Sequence, residues 1–159
     1  VSTAPLLSFT IRGQAASKAN SREIVTNPKT KRAMVIKSKE ARQFMADVLR
    51  QIPPVCRVRL QGPLYVRLKL YYRTERPDLD ESVLLDAMQD VYRTLKLPGG
   101  GARRELVQPG CYVNDRQVRA KFVMHGIDAR NPRAEVEIFS IAPTQDLFAL
   151  APAVEDLPF

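Results

Sequence analysis

Two neighbouring stretches decide the fold class: Leu64-Tyr65-Val66-Arg67-Leu68-Lys69-Leu70-Tyr71-Tyr72-Arg73 and Glu81-Ser82-Val83-Leu84-Leu85-Asp86-Ala87-Met88. In the first, Leu64, Val66, Leu68 and Leu70 alternate with Tyr65, Arg67, Lys69 and Tyr71. Successive side chains of a strand face opposite sides, so the pattern predicts a strand with one buried face. On its other face Arg67 and Lys69 interleave with tyrosines, which suits nucleic acid and a partly solvated sheet equally well. In the second stretch Val83, Leu84, Ala87, Met88, Val91 and Leu95 fall at i, i+3, i+4, i+7 spacing. That predicts one helix running to the breaker Pro98-Gly99-Gly100-Gly101.

Working outward, Leu7, Phe9 and Ile11 alternate as a short strand near the start. Residues 13–37 are polar and basic, with Lys18, Asn20, Arg22, Lys29, Lys31 and Arg32 around the turn signal Asn27-Pro28. They predict a long loop or short hairpin whose charge suits phosphate contacts. Ser38 is placed to cap a helix whose buried stripe is Ala41, Phe44, Met45, Val48, Leu49 and Ile52, stopped by Pro53-Pro54. Residues 55–60 predict a short strand. Beyond the second helix come a loop over 97–110 holding Arg103 and Arg104, a turn at Tyr112-Val113-Asn114-Asp115, and strands over 117–124 and 134–141. This order predicts an α+β domain over 1–142, with a mixed β-sheet and two main helices, followed by a flexible tail over 143–159.

The totals narrow the function. The chain has 159 residues, enough for about one domain, and its net charge is +8. The last sixteen residues hold Asp146, Glu155 and Asp156 and no basic side chain, so the rest is more basic still. Such a body is expected to bind a polyanion with strong salt dependence. Cys56 and Cys111 read as core thiols of a reducing cytoplasm, and neither a membrane span nor a signal peptide is expected. With His125 the one histidine, any metal site must be built from carboxylates.

Two acidic elements stand out. Asp78-Leu79-Asp80 can turn both carboxylates toward one hard cation, or serve as turn and cap residues before the helix. Asn114-Asp115-Arg116-Gln117 can be an acidic site or an Asx-type turn opening a strand. Asp86 and Asp90 share one side of the predicted helix; the first is a second-tier acid, the second a solvated one.

Taken together, Asp78-Leu79-Asp80, Asp86-Ala87-Met88 and Tyr112-Val113-Asn114-Asp115-Arg116-Gln117-Val118 resemble the RusA family of Holliday junction resolvases, common in phages and prophages. The resemblance implies a homodimer that grips a four-way DNA junction on a basic surface. Each subunit would hydrolyse one phosphodiester with Mg²⁺, or Mn²⁺, held by Asp78, Asp80 and Asp115. Arg76, Arg103, Arg104 and Arg116 join the basic residues above as DNA contacts. The chain departs from the family in four places: Glu81 stands for an asparagine, Leu84 for a lysine, the Asp80–Asp86 spacing is short, and the 97–110 link is long. Glu81 is either a further acidic ligand or a favourable acid in the first helical turn. If the missing lysine stabilises transition-state charge, Arg76, Arg103 or Arg104 must substitute for it.

The terminal Asp156-Leu157-Pro158-Phe159 resembles the acidic tip of bacterial single-stranded DNA-binding proteins. It implies recruitment of genome-maintenance proteins, or folding back onto the basic body. The expected setting is the cytoplasm of a bacterial host, with phage or prophage origin open. The alternatives are a single-stranded DNA binder and a junction-binding protein that cuts weakly.

Overall fold

The computed structural model describes residues 4–16, 22–75 and 81–141. In chain order its elements are β1 (Leu7–Arg12), β2 (Arg22–Thr26), β3 (Ala33–Lys37), α1 (Lys39–Gln51), β4 (Leu64–Tyr72) and α2 (Ser82–Met88). Then follow β5 (Val91–Lys96), β6 (Ala102–Gln108), β7 (Val118–Ile127) and β8 (Arg133–Ser140). The α+β architecture with a mixed sheet is as expected. Four strands form that sheet in the order β1-β8-β4-β7, while β2-β3 and β5-β6 are separate two-stranded ribbons.

The alternation of β4 organises the core. Leu68 sits opposite Val136 of antiparallel β8 and Val123 of parallel β7, while Phe9 of β1 lies across from Val136 on its other side. Apolar side chains of this face bury against Ala41, Phe44 and Val48 of α1 and Val83, Leu84, Ala87 and Met88 of α2. The other face carries a small cluster of Tyr65, Phe139 and Ile141, with Ala120 and Phe122 against it. A parallel β4–β7 pair needs a crossover, and the segment holding α2 supplies it.

Local signals explain α1. The Ser38 hydroxyl accepts from the Ala41 amide at 3.1 Å, and the helix stops at Ile52 before the proline pair. Arg57 donates to the Leu49 and Ile52 carbonyls, satisfying groups the helix end leaves open. Cys56 and Cys111 are free and buried, as expected of core thiols. Burial pushes both thiols up, Cys111 to about 12. Among the described residues no helix is long and apolar enough to cross a membrane.

Two expectations about the elements are corrected, and one choice left open is decided. Residues 55–60 are not a strand: Pro53-Pro54 leads into a 3₁₀ turn, Pro54–Cys56, closed by the Cys56 amide on the Pro53 carbonyl at 2.9 Å. Of the two courses expected over 13–37 the chain takes the hairpin, β2–β3, whose tip is an Asx turn: the Asn27 side chain accepts from the Lys29 amide at 2.9 Å. The second correction is the larger. The second helix ends at Met88, and Val91 and Leu95 belong to a strand, with Leu95 38% exposed. The loop over 97–110 is the rest of that β5–β6 ribbon, closed through Leu97 and Gly101.

The helix is cut short by tertiary bonds. The Met88 carbonyl accepts from the Cys111 amide at 2.8 Å, and Gln89 turns extended. Asp90, expected to be solvated, has a fully buried side chain. It pairs with Arg59 at 2.9 Å and accepts from the Gly110 amide at 2.9 Å and the Tyr92 hydroxyl at 3.1 Å. Arg59, at φ 54°, returns its own amide to the Gly110 carbonyl at 3.1 Å. Burial works to raise the Asp90 carboxyl; the Gly110 amide, Arg59 and Tyr92 outweigh it and hold the group below its ordinary 3.8.

Asp90→Ala leaves the Gly110 amide without its acceptor and is expected to cost about 2–3 kcal/mol, read by chemical denaturation. Because the folded value is depressed, the Asp90 contribution is complete above pH 3.8 and lost as pH falls through the lower folded value. The stability gap between wild type and Asp90→Asn should therefore narrow only below that pH.

Candidate functional site

The turn from Tyr112 to Gln117 is a scaffold that presents one carboxylate. Asn114 accepts from the Arg116 amide at 2.9 Å. Gln117 accepts from the Val113 and Asn114 amides at 2.9 and 3.0 Å and donates to the Leu60 and Gly62 carbonyls at 2.9 and 3.0 Å. Both side chains are thus committed to holding the turn. Asp115 between them is exposed, its amide reaching the Gln89 side chain at 3.4 Å. No ion pair engages its carboxylate among the described residues.

Tyr112 joins this turn to α2. Its ring is fully buried, and its hydroxyl donates to the Leu85 carbonyl at 2.8 Å. Burial, then Cys111, Asp115 and Asp86, hold the phenol well above its ordinary value, so both carboxylates act on one buried group. Asp86 lies on α2 and is paired with Lys37 of β3 at 2.6 Å. At the other end of α2, Glu81 precedes the first helical residue and pairs with Lys121 of β7. His125 stacks on Tyr72 with ring centroids 6.0 Å apart. Burial lowers the imidazole, with Glu81 pulling the other way.

The structure therefore places Asp86 on α2 and Asp115 on the turn that Tyr112 bonds to α2, and ties Glu81 to the sheet edge. Asp78, Asp80 and Arg76 lie outside the described residues, as do Lys18, Asn20 and the tip Asp156, Leu157, Pro158 and Phe159. Among the described residues no group of three His, Cys, Asp or Glu side chains is poised to hold a metal. Asp115 offers a metal an exposed carboxylate that no ion pair among these residues engages, on the turn bonded to α2, and carboxylates suit a hard divalent ion.

The basic residues divide among several surfaces. Lys29, Lys31 and Arg32 crowd the exposed tip of β2–β3, with Arg22 at its base. Arg103 and Arg104 stand on β6. Arg116 follows Asp115 directly and, with Arg119, borders an open cleft of about 710 Å³ floored by Gly62 and Pro63. Arg67 and Lys69 are not brought to the acids. They lie on the sheet face opposite the helices, where Arg67 pairs with Glu137 at 3.2 Å and Lys69 faces Glu135.

Leu84 is 1% exposed in the core, so that position has no room for a charged group. The cations beside the described acids are instead Lys37 and Lys121, which sequence reasoning missed. Lys121 left one signal: it shares the inward-facing register of β7 with Val123 and His125, across from Val66, Leu68 and Leu70. Lys121 is half exposed at the sheet edge and reaches the more buried Glu81 carboxylate, which it neutralises. Neither a protein-family model nor a curated protein matches this chain.

Proposed function

We propose that this chain is a Mg²⁺-dependent endodeoxyribonuclease that resolves four-way DNA junctions, as its resemblance to the RusA family implies. The observation that supports it is the Asp115 carboxylate, held out on a turn that the Asn114 and Gln117 side chains make rigid. Asp78 and Asp80 would complete the ligand set from the segment entering α2. A bound Mg²⁺ would polarise the scissile phosphate and acidify the attacking water. Arg116, next to Asp115, would hold a phosphate oxygen, and Lys121 and Lys37 keep Glu81 and Asp86 from repelling the backbone. Two symmetric nicks are best served by a two-fold dimer. Cytoplasmic action in a bacterial host and recruitment of genome-maintenance proteins by residues 156–159 belong to the same reading.

A second reading, a junction-binding platform that cuts weakly, is favoured by the Lys37–Asp86 and Lys121–Glu81 pairs, which leave Asp115 as the free acid among these. The deciding assay uses a mobile four-way junction with Mg²⁺ and with a chelator. Paired symmetric nicks that vanish with the chelator are the expected result. Tight junction binding with no nick in Mg²⁺ or Mn²⁺ would establish the platform instead.

A further inference from the structure

We propose that the β5–β6 ribbon is a DNA-reading arm that seats in the major groove of one duplex arm and fixes which phosphate meets Asp115. The inference rests on the DNA-cleaving reading above. The ribbon stands clear of the body, with residues 93–104 exposed on both faces. An isolated hairpin is marginal in water, so its order must come from its root. That root is the buried Asp90 with its Arg59, Gly110 and Tyr92 bonds, reinforced by the Cys111 amide on Met88.

Its charge is one-sided. Arg93, Lys96, Arg103 and Arg104 oppose a single acid, Glu105, which pairs with Arg93 at 2.7 Å. Lys96 and Arg103 have no partner among the described residues. Arg104 lies 4.5 Å from the Tyr92 ring centroid, and that tyrosine is held by Asp90, so the guanidinium is oriented from the core outward.

Shape agrees with charge. Strands of six and seven residues reach about 20 Å, and a two-stranded ribbon is of a width the major groove, about 12 Å across, admits. The tip is thin: a Cβ added at Gly99, Gly100 or Gly101 would meet nothing within 4 Å, and the last two adopt φ of 88° and 89°. The chain then runs from Gln108 through Gly110 and Cys111, both bonded into the body, to the Asp115 turn. With no slack in that link, a ribbon held in a groove sets the position of Asp115 along the backbone.

The test compares wild type with Lys96→Ala/Arg103→Ala/Arg104→Ala on a four-way junction and a linear duplex, with melting curves to verify folding. The slope of log K against log salt should fall by about 3, near 0.9 per lost phosphate contact. Protection of guanine N7 from dimethyl sulfate should disappear, and nicks should spread to neighbouring phosphates. Arg103→Glu alone should move all three readouts the same way. Unchanged slope and protection in variants of a DNA-binding wild type would overturn the arm and leave the nuclease reading intact. Loss of dimer on sedimentation with an unchanged slope would show that the ribbon, with its exposed Leu95 and Leu97, joins two copies instead. A wild type that binds neither DNA would overturn the arm and the nuclease reading together.

Discussion

Asp115→Asn is expected to abolish metal-dependent nicking of a four-way junction while leaving junction affinity unchanged. The substitution keeps the size of the side chain and removes the charge a divalent ion needs. Asn114 and Gln117 hold the turn without help from the Asp115 carboxylate, so the fold is retained. The expected loss exceeds the roughly 10–100-fold that follows when a group merely orienting a metal ligand is removed. Single-turnover cleavage with saturating enzyme isolates the chemical step, and anisotropy on the same junction reads binding. Nicking within threefold of wild type would remove Asp115 from the ligand set and with it the main support for the nuclease reading. Gln117→Ala is a useful companion, because it frees the turn from Leu60 and Gly62 without touching a charge.

Gly110→Ala is expected to be the most destabilising single methyl group in the described chain. A Cβ there would collide with backbone atoms of Gln89 and Met88 and lie 2.7 Å from the Asp90 amide. Backbone cannot step aside as the end of a flexible side chain can, so the 88–90 and 110–111 segments must separate. That breaks the Gly110–Asp90 and Cys111–Met88 bonds together. The cost should be at least about 3 kcal/mol, the upper end for overpacking. For a chain of this length that is a fall in Tm of roughly 6–12 °C. Gly99→Ala, at the ribbon tip with nothing within 4 Å, is the control and should stay within about 0.5 kcal/mol of wild type. Equal melting of the two variants would show that the 88–110 contact is not the anchor the geometry describes.

What the sequence determined by itself are the features whose cause lies within a few residues. Period-two alternation located β1, β4 and β8, because a pleated strand with one buried face permits no other arrangement of Leu64, Val66, Leu68 and Leu70. Ser38 and Pro53-Pro54 bounded α1, because caps and breakers act on adjacent amides. The Asn114–Gln117 spacing was legible as a turn that sets Asp115 apart, although its anchorage to Leu60 and Gly62 was not.

Only the tertiary structure decided where α2 ends. Val91 and Leu95 continue a helical spacing, yet a β-prone run can follow either course, and bonds from Cys111 and Gly110 settle it. For the same reason Asp90 was misread as solvated: Arg59 and Gly110, which make its burial tolerable, are distant in sequence. Lys37 and Lys121 became partners of Asp86 and Glu81 only when β3 and β7 were laid beside α2. Ion pairing depends on distance through space, and a one-dimensional pattern carries that distance only where the chain has no freedom to choose it.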